Sequence, residues 1–358
     1  MNLNLKNINK EKMVQFLINN GIYLVMGGLI IFVIIARPDF LSVPVFINIL
    51  SQSSVKLILA LGVGGIIVLQ GTDLSLGRIT GFATVIAASL LQRMDAINKF
   101  YPDLFLNDMS PIIRILFTIT ICIVICSIIT AINGYISAKF DVHPFVVTLG
   151  TSLVIYGVNT LYYNYGGGQP IGSHDNVYKA FVNGNILNFK DMGIMQGTFM
   201  ESFFIPNLVI IAAIVAFIVY FIWNKTVFGK NMYAVGGNPE AAKVSGINVI
   251  KVFVQVNILA GILYGLGGFL EAARIGSANN ATGINYELDA IAACVIGGIS
   301  FSGGVGNVRS AIIGVLMFQI LAYGMLFLGL GIEVQNIVKG AVIVASVALD
   351  RRKYIKKR

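Results

Sequence analysis

The sequence predicts an all-α integral membrane protein, a polytopic bundle of about ten transmembrane helices with both termini in the cytoplasm. Three observations predict it. Hydrophobic residues fill 56% of the 358 positions and charged residues 11%, with a mean hydropathy of +0.83, whereas soluble domains carry roughly 25% charged residues. Apolar runs of roughly 17 to 25 residues, the length that crosses a bilayer, recur along the chain. Basic residues are shared unequally between alternate connecting segments, as in proteins whose cytoplasmic loops are positive.

Cutting at charge and glycine/proline clusters gives spans near 14–36, 54–71, 76–92, 112–136, 144–163, 206–223, 252–272, 288–300, 308–329 and 333–349. The first follows Lys6, Lys10 and Lys12 and runs into Pro38 and Asp39 with no small-residue cleavage site, so it is expected to stay as an anchor. No long polar stretch separates a soluble unit, and 1–358 reads as one transmembrane domain. Its longest connections are an inner loop at 224–251 and an outer loop at 164–205.

An even number of spans puts both tails on one side. With the tails inside, the cytoplasmic side holds sixteen of the 25 Lys and Arg, including Arg78, Lys139, Lys225, Lys230 and the closing RRKYIKKR. The outer side holds eight, including Lys56 and Arg274, and Lys339 falls within the last span. The net charge of +9 is thereby explained by contact with anionic membrane lipid, and nucleic acid is not an expected partner.

Enzyme chemistry finds little support. Cys122 and Cys126 share a helix face inside a span and Cys294 lies in another, which suits packing. No HExxH, Ser/His/Asp or paired intramembrane carboxylate pattern occurs, so no catalytic residue and no metal site is expected. The phosphate-binding GxxxxGK[ST] pattern is missing too, so ATP and Mg must act on another chain and this one binds no cofactor.

The spans carry uncharged polar groups, among them Asn133, Thr148, Thr151, Tyr156, Asn159, Asn257 and Tyr264. Amides, hydroxyls and aromatic faces suit a path for a neutral polyol or sugar. Each can equally be a hydrogen-bonded contact between helices. Asp73, Glu271, Glu287, Asp289 and Glu333 fall near predicted span ends, so the spans are expected to hold no acid for ion coupling. Gly261, Gly265, Gly267 and Gly268 are expected to bring the seventh span close to its neighbours.

Two glycine-rich segments mark inner turns. QGTDLSLGRITG, 70–81, contains Gly71, Asp73 and Ser75, and IGGISFSGGVGN, 296–307, contains Ser302, Gly303 and Gly304. Irregular backbone survives at membrane depth only against protein or water, so both are expected at an inner mouth or gate. Within the inner loop, GGNPEAAKVSG reads as a short capped helix. Asn238 is its N-cap, Pro239 its first residue, Glu240 an acid at the positive end, and Gly246 its stop, with Ala241, Ala242, Lys243, Val244 and Ser245 between. A helix that short is marginal in water and needs a surface to dock on.

These segments, with NILSQSSVKLILALGVGGIIVLQGTD, NKTVFGKN, FLEAARIGSANN, YELDAIAACVIGGISFSGGVG and KGAVIVASVALD, resemble a known family from the second span to the C-terminus. The chain is similar to the membrane subunits of bacterial galactose/methyl-galactoside ATP-binding-cassette importers, within the ribose- and branched-chain-amino-acid-type permeases. The resemblance implies an inner-membrane permease working with an ATPase subunit, an extracytoplasmic sugar-binding protein and a second permease copy. It implies that Glu240, Ala241, Ala242 and Gly246 belong to the helix that couples to the ATPase. No Leu-Pro follows that glycine, and the outer loop departs from the pattern. Ribose or a nucleoside would suit the same lining, and an ATP-independent facilitator is the rival from another class.

Overall fold

The computed structural model describes residues 26–188 and 204–355, with side chains through 348. Lys6, Lys10, Lys12, the first part of the span at 14–36, the segment 189–203 of the outer loop and residues 356–358 of the basic tail lie outside the described residues. All ten expected spans coincide with helices where described: α1 (Met26–Ala36), α2 (Val43–Val68), α3 (Leu76–Leu90), α4 (Pro111–Phe140), α5 (Pro144–Tyr165), α7 (Asn207–Lys225), α10 (Val249–Ile275), α11 (Tyr286–Gly297), α12 (Val308–Phe327) and α13 (Ile332–Ile355). Between them lie α6 (Asn176–Asn183), α8 (Val227–Gly237) and α9 (Pro239–Val244), and a small antiparallel pair of β1 (Asn185–Asn188) and β2 (Phe204–Pro206). Among the described residues six helices, α2, α4, α5, α7, α10 and α12, are long and apolar enough to cross a membrane. The protein is a predominantly helical, multi-pass membrane protein.

Prolines set the helix starts. Pro44, Pro111 and Pro144 occupy the first turns of α2, α4 and α5, where a missing N–H costs nothing. Pro44 also explains why α2 begins at Val43 rather than near 54: the polar NILSQSS stretch continues the helix, its Ser53 and Ser54 hydroxyls donating back to Ile49 and Leu50 carbonyls at 2.7 and 2.8 Å.

α10 is the hub. Its glycines let three neighbours approach: Gly261 and Gly265 lie against the α4 backbone at Cys126, Ser127 and Cys122, Gly267 against Leu59 of α2, and Gly268 against Thr80 and Ala83 of α3. A β-carbon at any of these would collide, so the expected small-residue contacts are present. Cys122 and Cys126 are buried with their thiols turned to the α3 carbonyls of Ala83 and Ile79.

α3 and α11 are too short to cross alone. Their 15 and 12 residues reach about 22 and 18 Å, against an apolar core of about 30 Å. They meet each other. Gly77 and Gly81 of α3 pack on Thr282, Gly283 and Glu287 at the start of α11, and Gly283 takes a left-handed φ of +87° to make that approach.

A polar cap closes the opposite end of the bundle from α9. The Arg114 guanidinium, buried at 2% exposure, donates to the Gln92 carbonyl at 2.9 Å and holds Asp175 at 3.4 Å. Asp175 in turn caps α6 by accepting from the Val177 amide. The Asn183 side chain donates to the Ala273 carbonyl at 2.7 Å, and Tyr178 donates to the Phe269 carbonyl. His174 is fully buried beside Tyr178, and burial together with the Lys179 charge lowers its pKa to about 4.

Candidate functional site

The expected short helix is α9, and its ends are built as the sequence suggests. The Asn238 side chain accepts from the Ala241 amide at 3.0 Å, and Pro239 opens the first turn. At the other end Gly246 has φ +83°, its amide donates to the Lys243 carbonyl and the Ile247 amide to the Ala242 carbonyl, both at 3.0 Å. That pair of bonds is a Schellman stop. Ala242 is buried against the protein, while Glu240, Ala241, Lys243, Val244 and Ser245 are exposed, Val244 at 89%. Among the described residues Glu240 and Lys243 form no ion pair, and both charges and the apolar Val244 face outward, where another surface can meet them.

The last turns of α8, which lead into α9 through Asn238, are fixed to both glycine-rich turns. The Gln70 side chain donates to the Gly236 carbonyl at 2.9 Å, the Gly304 amide to the Val68 carbonyl at 2.8 Å, and the Tyr233 hydroxyl to the Gly306 carbonyl at 2.9 Å. Gly236 is buried so tightly that a β-carbon would meet the Val68 carbonyl and lie 2.9 Å from the Gly304 amide. Residues predicted separately as inner turns and as a helix therefore form one unit. Gly303 and Gly304 sit in the left-handed region at this joint, and Ser302 is half-buried beside them. A cavity of about 870 Å³ opens next to the unit, edged by Gln70, Lys139, His143, Glu240, Lys243 and Asn248.

The first turn extends only to Ser75, because 76–81 is already the start of α3. Gly71, Asp73 and Ser75 are buried in the bundle rather than exposed at a mouth. Asp73 accepts from the Ser75 amide at 2.8 Å and from its hydroxyl at 2.5 Å. Asn133 donates to the Ser75 hydroxyl at 3.2 Å and accepts from Thr151 at 2.6 Å. Thr148 receives the Leu74 amide at 3.1 Å and donates to the Thr72 carbonyl at 3.3 Å.

Of the six residues expected along a substrate path, Asn133, Thr148, Asn159, Asn257 and Tyr264 are buried inside the single chain. Asn257 returns its amide to the Phe253 carbonyl at 2.9 Å, and the Tyr264 ring fills the gap opposite Gly62. The space between Asn133, Thr148 and Asn257 is a cavity of only about 10 Å³, room for one water. Asn133 and Thr148 join helices to one another, for which uncharged amides and hydroxyls suffice, whereas Asn257 bonds within α10 and the Asn159 Oδ1 and Tyr264 hydroxyl have no hydrogen-bond partner among the described residues. Tyr156 alone lies on an open face, at 42% exposure.

The expectation that the spans hold no acids is overturned. Charge spacing along the sequence placed Asp73, Glu287 and Asp289 at ends, but Asp73 is buried in the turn before α3, and the short α11 carries Glu287 and Asp289 against α2 and α3. Asp289 binds Lys56 at 2.9 Å and Lys339 at 3.1 Å. Lys56 stands at the midpoint of α2, so it does not belong to the outer surface. Arg78 is likewise off the inner surface: its guanidinium lies 4.4 Å from the centre of the Tyr156 ring, and the Glu287 carboxylate rests on Gly77 beside it. The sequence signal for Arg78 and Glu287 is their position within glycine-flanked helices shorter than a span.

Comparison with known proteins follows the same lines. Residues 45–347 match the family described as branched-chain amino acid transport system / permease component. The chain is 46% identical to the galactose/methyl galactoside import permease protein MglC of Escherichia coli strain K12, over 98% of this chain and 99% of that protein. The protein of the same description from Haemophilus influenzae is 45% identical over the same shares. The ribose import permease protein RbsC of E. coli strain K12 is 33% identical over 88% of each chain. No solved structure matches. With its matched region running from α2 into α13, the chain belongs to the permease-component family of branched-chain amino acid transport systems.

Proposed function

We propose that this chain is the membrane subunit of an ATP-binding-cassette importer that carries galactose and methyl galactoside inward across a bacterial inner membrane. Its close likeness to galactose/methyl galactoside import permeases, against a more distant likeness to ribose permeases, supports that sugar class. The chain is a single membrane domain of ten membrane helices, the short α3 and α11 among them, with cytoplasmic termini, and it binds no cofactor or metal itself. ATP and Mg are held by a partner ATPase, an extracytoplasmic binding protein delivers the sugar to the outer loop 164–205, and a second copy of the chain completes the path. Lipid meets the remaining outer wall.

The observation that supports this reading is the tie of the end of α8, from which α9 continues, to both glycine-rich turns around Gly236. An exposed helix continuing from a segment hydrogen-bonded to two buried turns can pass a partner's movement to the membrane interior as a rigid unit. It does so only because the partner contacts it differently in two states. The 224–251 loop is then the coupling loop, with 238–246 as the contact and Gly71, Asp73, Ser75, Ser302, Gly303 and Gly304 as the parts moved.

The test is uptake of labelled methyl galactoside with and without the ATPase and binding protein, a protonophore being present throughout. Uptake that needs all partners and stops on ATP depletion is expected. Uptake by this chain alone would make it a facilitator, and uptake of ribose in preference to galactose would reassign the sugar.

A further inference from the structure

Among the described residues, Arg78 and Glu287 are charged side chains inside the bundle that have no counter-charge in bonding range. Arg78, in the first turn of α3, lies over one side of the Tyr156 ring. Tyr156 is twelve residues into the 22-residue α5, about 18 Å along the helix from its start. Glu287, in the first turn of the half-length α11, sits against Gly77, the neighbour of Arg78. Arg78 and Glu287 thus flank α3 near the middle of α5, with α5 and α11 each packed on α3.

The Nη1 of Arg78 and the Oε2 of Glu287 are buried and have no hydrogen-bond partner among the described residues. The two side chains make no ion pair with each other. α5 is the least buried of the six long helices, with Leu149, Leu153 and Leu161 exposed along with Tyr156. Charged groups at such a depth are too costly to face lipid, so this face looks onto water or protein.

We propose that Arg78, Tyr156 and Glu287 form a station for a hexose on its way between two copies of the chain. This rests on the sugar-import reading above. A carboxylate accepts from two adjacent hydroxyls, a guanidinium fork donates to hydroxyl or ring oxygens, and an aromatic face meets the apolar C–H side of the ring. One cation and one anion sum to no charge, which matches a neutral polyhydroxyl solute. An amino-acid zwitterion would also satisfy the pair of charges, but a branched side chain would need an enclosed apolar pocket beside them, whereas the groups bordering this site are Gly77, Gly81, Thr282 and Gly283. The Lys56–Asp289–Lys339 cluster, on the other side of α11 two residues along, anchors that helix and so holds Glu287 in place.

The experiment uses the complete transporter in proteoliposomes: this chain, its ATPase and its binding protein. It measures labelled methyl galactoside moved per ATP hydrolysed, and the rate ratio between galactose and its epimer glucose. Glu287→Gln, Arg78→Gln and Tyr156→Leu are compared with Tyr156→Phe. Expected is a fall of about tenfold in sugar per ATP for Glu287→Gln and Arg78→Gln, the effect of losing one hydrogen bond to a charged group, and a fall for Tyr156→Leu from loss of the aromatic face. Stimulation of ATP hydrolysis by the loaded binding protein stays near the wild-type rate, the galactose-to-glucose ratio shifts in Glu287→Gln, and Tyr156→Phe transports normally. Wild-type sugar per ATP and an unchanged epimer ratio in all variants would overturn the station while leaving the importer reading intact. So would loss of ATP hydrolysis in step with transport, which marks a structural role. A wild-type assembly that moves labelled leucine and no sugar would overturn both.

Discussion

The side-chain amide of Gln70 donates to the carbonyl of Gly236 across 2.9 Å, tying the turn between α2 and α3 to the last turn of α8. The Gly304 amide, bound to Val68 at 2.8 Å, ties the second turn to the same place. Gln70→Ala removes one of these ties and leaves a buried carbonyl unpaired, at a cost of about 1–3 kcal/mol. Sugar moved per ATP is expected to fall while ATP hydrolysis persists. Gly236→Ala, which drives a methyl into the Val68 carbonyl, is expected to be the more severe. Equal transport by both variants and the wild type in reconstituted vesicles would separate this joint from coupling.

On α9 the exposed groups are Glu240, Lys243 and Val244. Glu240→Lys reverses the charge offered to the partner without touching a contact inside the chain, so membrane insertion and thermal stability should be unchanged. Uptake is expected to drop about tenfold or more, the scale of a disrupted interfacial charge contact. Val244→Asp should act in the same direction. Co-purification of the ATPase with each variant reads the effect directly, and undiminished capture together with normal uptake would show that α9 is not the contact.

Asp289 is shared by two lysines, Lys56 and Lys339, with side chains about one-quarter exposed or less. Asp289→Asn strands both cations in the bundle, for an expected loss of about 3 kcal/mol. Lys56→Met leaves Asp289 paired with Lys339 and should be the milder change. Thermal midpoints in detergent order the two, and a Lys56→Met protein less stable than Asp289→Asn would contradict the shared-anion arrangement.

The cap over the outer end should weaken in acid. Burial, chiefly, and the Lys179 charge hold the folded His174 pKa at about 4, below its ordinary 6.5. Between those values the unfolded cap binds a proton that the folded cap does not, so stability is full above about pH 6.5 and declines towards pH 4. The limit is about 3.5 kcal/mol at about 1.4 kcal/mol per unit. Asp175 cannot offset the new charge freely, because it is bound to Arg114 and to the Val177 amide. Amide exchange across 171–183 should quicken from pH 7 to pH 4.5 in the wild type, and lose that pH dependence in His174→Gln.

What the sequence determined by itself is what short-range physics controls. Asn238, Pro239 and Gly246 bound α9 through hydrogen bonds and a positive φ that involve residues within a few positions of one another. Apolar runs mark the membrane helices because hydrocarbon tolerates little else, and the glycines of α10 mark close contacts because any β-carbon collides. Tertiary structure alone decided where polar side chains end up. Asn133, Thr148, Asn159, Asn257 and Tyr264 have the composition of a path lining, yet neighbouring helices enclose all five. Arg78 and Glu287 read as span-end charges, yet α3 and α11 are too short to reach the surface and bring them together 209 positions apart in the chain. A side chain's local pattern fixes its helix and its face; whether that face meets lipid, another helix or an open path depends on every other segment.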